Sequence, residues 1–149
     1  MTNKCIVALF ILPALVAMCA ISGCGSDEPT EASLTKAQYR HQTDVICTNA
    51  SVELSEGATN YISEHPEGNQ ADLVKKAGLP PLEKALQKLQ DLPASDGYQA
   101  ETSAFIEQFE TALERTREEP LLMVAQPNSF EEANRIAAKY RFGECELIP

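Results

Sequence analysis

Between Thr35 and Tyr140 apolar residues recur at steps of three and four, and nowhere do four alternating β-branched residues sit between turn residues. That period is the signature of amphipathic helices, and the missing alternation argues against a sheet. The blocks are cut by prolines. Tyr39, Thr43, Ile46, Cys47, Ala50, Leu54, Tyr61 and Ile62 form one face of a long first helix, opened by a Thr35–Gln38 capping box and closed near His65-Pro66. Gly57 is a weak point within it.

Leu73, Val74 and Ala77 start a second helical block, which Gly78-Leu79-Pro80-Pro81 should break or kink before Leu82, Ala85, Leu86 and Leu89 resume the period. A third helix, capped by Ser95 or Asp96, turns Tyr98, Thr102, Phe105, Ile106, Phe109, Ala112, Leu113 and Thr116 inward, with Pro120 limiting it. Ser129-Phe130-Glu131-Glu132 reads as a second capping box before a short helix with Phe130, Ala133, Ile136, Ala137 and Tyr140 inward, and Gly143 as its stop. The expected fold is all-α, an up-and-down bundle of about four helices over residues 34–149.

The N-terminal part has another character. After Lys4 the chain runs from Cys5 to Ile21 without a charge, then turns small and acidic within a few residues. One basic residue, an apolar run and small residues together form an export signal. As a spanning helix the run is at the lower limit of length, has Pro13 in its middle and lacks a basic flank. Ala20-Ile21-Ser22 offers a cut before Gly23 by the general signal peptidase. Ile21-Ser22-Gly23-Cys24, however, also resembles the bacterial lipobox, and it lies where the apolar run ends. That resemblance implies a diacylglyceryl thioether on Cys24, cleavage before it, and residues 1–23 as a lipoprotein signal peptide. Residues 24–33 would then be a lipidated cysteine and an acidic tether. Each buried acyl CH₂ contributes roughly 0.8 kcal/mol, so two or three chains on one residue hold durably.

The cysteine count is consistent with this. Of the five, Cys5 and Cys19 leave with the signal and Cys24 takes the lipid, so Cys47 and Cys145 remain as one pair in an oxidising compartment. A redox or metal role for them lacks CxxC spacing and nearby histidines. The net charge of −10 makes nucleic acid a poor partner.

Chemistry is sparse. His41, with Asp44 three residues on, and His65, between Glu64 and Glu67, are the only histidines, and neither gathers the three or four ligands a metal needs. Glu107, Glu110, Glu114 and Glu118 make an acidic stripe that resembles no calcium loop, with Arg117 a local neutraliser of Glu114. No nucleophile motif, Gly-rich phosphate loop or HExxH is present, so no catalytic residue, metal or cofactor is assigned and an enzyme is not expected. Leu121-Leu122-Met123-Val124-Ala125, framed by Pro120 and Pro127, is apolar where a polar connection is expected. It reads as a plug for one end of the bundle, or else as a docking patch.

The lipobox, the tether, "LTKAQYRHQTDVIC" at 34–47, "LQDLPAS" at 89–95 and "AAKYRFGEC" at 137–145 together resemble a group of small actinobacterial envelope lipoproteins. Asp44-Val45-Ile46-Cys47 and Phe142-Gly143-Glu144-Cys145 occupy the places of that group's Asp-x-Ile-Cys and Tyr/Phe-Gly…Cys elements. The resemblance implies a disulfide-linked helical domain on the outer face of the cell membrane, and it brings no activity to transfer. Two functions follow as expectations: a tethered binding or scaffolding module for an envelope protein or wall component, or a carrier of a small apolar ligand in a cavity opened at Pro80-Pro81.

Overall fold

The computed structural model describes residues 33–93, 95 and 97–146. Cys24, the expected signal peptide over residues 1–23 and all but the last residue of the expected tether lie outside the described residues.

The first helix, α1 (Lys36–Glu64), starts where the side chains dictate. Thr35 Oγ1 accepts from the Gln38 backbone N–H at 3.3 Å, and Gln38 Oε1 accepts from the Thr35 N–H at 3.0 Å, so the capping box is closed. Tyr39, Thr43, Cys47, Ala50 and Tyr61 are buried along one face. Ile62, expected to join them, is 57% exposed. It stands one residue, or 100° of helix, beyond Tyr61, and only one of the two can face the core. The helix runs unbroken through Gly57, where a Cβ would stand 3.4 Å from the Ala77 carbonyl oxygen, an ordinary contact distance.

The expected break at Pro80-Pro81 is absent, because the chain widens instead. Helix α2 (Gln70–Leu73), capped by Asn69, passes directly into a π-helical turn at Val74–Gly78 and then α3 (Leu79–Gln90). A proline ring in an α-helix collides with the carbonyl four residues back and leaves it without a donor. The extra residue of a π turn displaces those carbonyls, and both prolines are accommodated in the first turn of α3.

Helix α4 (Gln99–Glu118) starts later than expected, after Tyr98, and carries no side-chain cap. Ser95 is buried and forms an isolated bridge with Leu34, while its carbonyl accepts from the Tyr98 N–H; Asp96 lies outside the described residues. The 3₁₀ turn Pro120–Met123 follows, then α5 (Glu131–Tyr140) and a second 3₁₀ turn, Gly143–Cys145. The expected Ser129 capping box does not form: Ser129 turns inward to share a 2.7 Å hydrogen bond with Thr116, and Asn128 Oδ1 takes the Phe130 N–H. Gly143 does not end α5 either. Arg141 adopts the left-handed conformation (φ 61°), and the Phe142 N–H reaches back to the Ala137 carbonyl at 2.9 Å. This C-terminal motif reverses the chain and delivers Phe142, fully buried, to the core.

The expected all-α bundle with one disulfide is observed. Successive arms run antiparallel. Lys84 pairs with Glu53, while Ala77, seven residues earlier, meets Gly57, four residues later. Between α4 and the C-terminal part, Phe109 packs on Phe130, Phe105 on Phe142 and Tyr98 on Tyr140. The core is continuous from Tyr39 and Cys47 through Leu82, Leu89, Phe105 and Leu113 to Phe142 and Cys145.

Candidate functional site

Cys47 and Cys145 are joined, with their α-carbons 5.0 Å apart across 98 positions of sequence. Both are buried. α1 supplies the first from its inner face; the second arrives because Arg141 turns the chain and Phe142 anchors it. Asp44, one helical turn before Cys47, accepts from the Glu144 backbone N–H at 3.4 Å and so helps seat the last turn. The bridge is structural: neither sulfur is open to a substrate.

The Leu121–Val124 run divides between the two readings offered for it. Met123 is 5% exposed and its sulfur packs against Gly78, 3.1 Å from where a Cβ would be. Leu122 is half-buried and its carbonyl accepts from the Ser129 N–H. Leu121 and Val124 are 47% and 49% exposed. A 3₁₀ turn has three residues per turn, so Leu121 and Val124 share one side while Met123 points from another. One side chain plugs the bundle end, and two remain at the surface.

Pro80 and Pro81 line an open cleft of about 380 Å³ between α1 and the π turn, edged by Glu53, Glu64, Lys76 and Lys84. Glu53 accepts from Lys84 Nζ at 2.7 Å, and that hydrogen bond holds its carboxyl below the usual range. Glu132 is lowered likewise by its hydrogen bond to Arg135. Arg117 does not neutralise Glu114 but crosses to Glu83 on α3, at 2.8 Å. The carboxylates of the acidic stripe, Glu107, Glu110, Glu114 and Glu118, stay exposed. His41 is exposed, while His65 stacks on Tyr61 with its Nδ1 3.2 Å from the Tyr61 carbonyl oxygen. Among the described residues no three His, Cys, Asp or Glu side chains are placed to hold a metal ion, and no helix is long and apolar enough to cross a membrane.

Sequence reasoning missed the aromatic group at the end of the bundle where residue 33 enters. Tyr39, Tyr98, Tyr140 and Phe142 meet there edge-on or tilted. Lys36 and Arg40 lie over the Tyr98 ring at 5.0 and 5.5 Å. Only the clustering of aromatics near residue 140 signalled it; that Tyr98 would join them depended on the packing of α4 against α5. Burial raises the Tyr39 phenol above its ordinary pKa, with the Thr102 and Thr43 hydroxyls opposing that shift.

Compared with protein-family models, with curated proteins and with solved structures, the chain matches none.

Proposed function

We propose that this protein is an extracytoplasmic lipoprotein, held on the outer face of the cell membrane through Cys24, whose helical domain is a binding or scaffolding module for an envelope protein or wall component. The observation that carries this reading is the position of Ile21-Ser22-Gly23-Cys24 at the end of an uncharged run. The paired state of Cys47 and Cys145 supports it, since disulfides persist in oxidising compartments. The alternative, a carrier of a small apolar or lipid ligand, needs an enclosed apolar chamber. The cleft beside Pro80 and Pro81 is open and edged by charges, so the scaffolding reading is preferred.

The test is the mass of the N-terminal peptide of the full chain extracted from membranes. An acylated Cys24 as first residue supports the proposal, together with release of Cys24→Ala from the membrane fraction. A mature chain starting at Gly23, or one that keeps Met1, overturns it.

A further inference from the structure

The cations of this acidic chain are unevenly placed. Lys84, Arg117 and Arg135 each meet a carboxylate. Lys36, Arg40, Lys139 and Arg141 form no ion pair among the described residues, and they gather at the end of the bundle where residue 33 enters. Lys36 and Arg40 lie over the Tyr98 ring, which packs edge-on against Tyr140 with ring centres 6.2 Å apart. Lys139 lies over the Tyr140 ring at 5.0 Å, and Arg141 follows in its left-handed turn. Lys36, Lys139 and Arg141 are exposed, while Arg40 and Tyr140 are half-buried. The bridge from Leu34 to Ser95 brings the chain in beside them. Against these four stand Glu101, in the first turn of α4, and Asp44, engaged with the Glu144 backbone, with Glu144 and Glu146 beyond. Carboxylates crowd the opposite end, where Glu118 and Glu119 close α4 and Glu131 and Glu132 open α5. A chain with a net charge of −10 is therefore polarised along its bundle, least acidic where its N-terminal segment leaves.

We infer that this end docks on the anionic phosphate headgroups of the membrane that holds Cys24, with Lys36, Arg40, Lys139 and Arg141 as the contacts. The inference rests on the lipidation of Cys24 proposed above. The chain length sets the geometry. From Cys24 to Ser33 the backbone can span at most about 30 Å, which is less than the roughly 43 Å of α1. So short a link holds this end near the headgroups at an effective concentration in the millimolar range, and a weak contact is then populated. Screening settles which charges the membrane meets. With a Debye length of about 8 Å at physiological salt, headgroups respond to the four cations and not to the carboxylates at the far end. Lys and Arg beside an anionic surface are attracted to it, and tyrosine rings suit the boundary between headgroup and water. Stacking over Tyr98 and Tyr140 positions the cations without cancelling their charge. Asp27, Glu28 and Glu31 are the rival occupant within the chain. Those three would have to be ordered one by one to reach four cations, whereas a headgroup layer offers phosphates to all of them at once.

The test uses the full chain, extracted from membranes and reconstituted in vesicles of phosphatidylcholine, alone or with about one-third phosphatidylglycerol. A dye on Ala138→Cys, an exposed position beside Lys139, reports energy transfer to a headgroup-labelled lipid. Gln126→Cys, exposed beyond the other end of α5, is the control. Transfer from position 138 is expected to rise at least about twofold in the anionic vesicles, with no rise from position 126. Sodium chloride at about 1 M, where the Debye length falls to roughly 3 Å, should abolish the rise. Lys36→Gln, Arg40→Gln, Lys139→Gln and Arg141→Gln combined should abolish it too, with a thermal melt as the check on folding. The salt measurement needs only the parent fold and decides the matter if that variant is unstable. Equal transfer in the two kinds of vesicle, an equal rise at both positions, or a rise that survives salt overturns the docking. A rise seen only after Asp27→Asn, Glu28→Gln and Glu31→Gln makes the chain's own acids the occupant and overturns it as well. A chain that fails to float with the vesicles lacks the anchor, which overturns the Cys24 reading and this one together; a chain that floats without the rise overturns this one alone.

Discussion

Tyr98 donates its phenolic hydrogen to the backbone carbonyl of Tyr140 at 2.7 Å, joining the residue before α4 to the last residue of α5. That carbonyl belongs to a helix end, where no amide of the next turn is available to bond it. Arg40 Nε in turn donates to the same phenol oxygen at 3.3 Å. Tyr98→Phe is therefore expected to cost about 1–3 kcal/mol, the range for leaving such a group unpaired. Tyr140→Phe should cost far less, because the contact is to its backbone. Chemical denaturation of the two variants side by side decides it.

Gly57 and Gly78 should respond to alanine in opposite directions. At Gly57 a methyl group meets Ala77 atoms only at 3.4 Å or more, and the gain in helix propensity of up to about 1 kcal/mol makes the variant neutral or more stable. At Gly78 it would stand 3.1 Å from the sulfur and 3.3 Å from the terminal methyl of Met123. Overpacking there should cost about 1–3 kcal/mol, and shortening Met123 in the same chain should restore part of the loss. Thermal melts of the single and double variants read this directly.

Aspartate substitutions along the apolar turn should separate core from surface. Met123→Asp places a charge in a buried site and should prevent stable folding at moderate temperature. Leu122→Asp should lower the melting temperature by an intermediate amount. Leu121→Asp, at a position 47% exposed, should stay within about 0.5 kcal/mol of the parent chain. Equal losses at all three positions would contradict the placement of Met123 alone in the core.

Opening the Cys47–Cys145 bridge releases a loop spanning 98 positions. In the chain-entropy account, a closed loop of that size stabilises by about 4–5 kcal/mol. Cys145→Ser, or reduction, should shift the denaturation midpoint by that order while leaving helical circular dichroism in place under mild conditions.

Alkaline pH should weaken the fold through Tyr39. Burial raises its folded-state pKa, so the neutral phenol is favoured in the bundle. The stability tied to it is complete below the unfolded value of about 10 and is lost as pH climbs through that value toward the higher folded one. Tyr39→Phe should flatten this part of the profile. Denaturation midpoints measured at steps from pH 8 to 11 would show whether the two curves diverge.

Much of the architecture was legible in residue order alone. The three- and four-residue steps in Phe105–Phe109–Ala112–Leu113 or Leu82–Leu86–Leu89 report which side of a helix meets the core, because a helix repeats every 3.6 residues wherever it lies. Thr35 and Gln38 specify the start of α1 because a capping box involves only neighbours. The pairing of Cys47 with Cys145 followed from counting, since residues 34–149 hold only these two cysteines. The local signals failed where distant packing competed with them. Ser129 has the makings of an N-cap, yet the buried Thr116 hydroxyl claims it. Gly143 is the residue best suited to a left-handed turn, yet Arg141 adopts it so that Phe142 can enter the core.

By itself, then, the amino-acid sequence determined the helical class, most of the inward faces and the disulfide partners, because each depends on periodicity, composition or number. Tertiary structure alone decided that Pro80 and Pro81 continue a helix through a π turn, that Met123 and not Leu121 enters the core, and that Ile62 stays at the surface. Those outcomes turn on which carbonyl, ring or methyl group occupies a given few ångströms of space, and residues far apart in the chain settle that together.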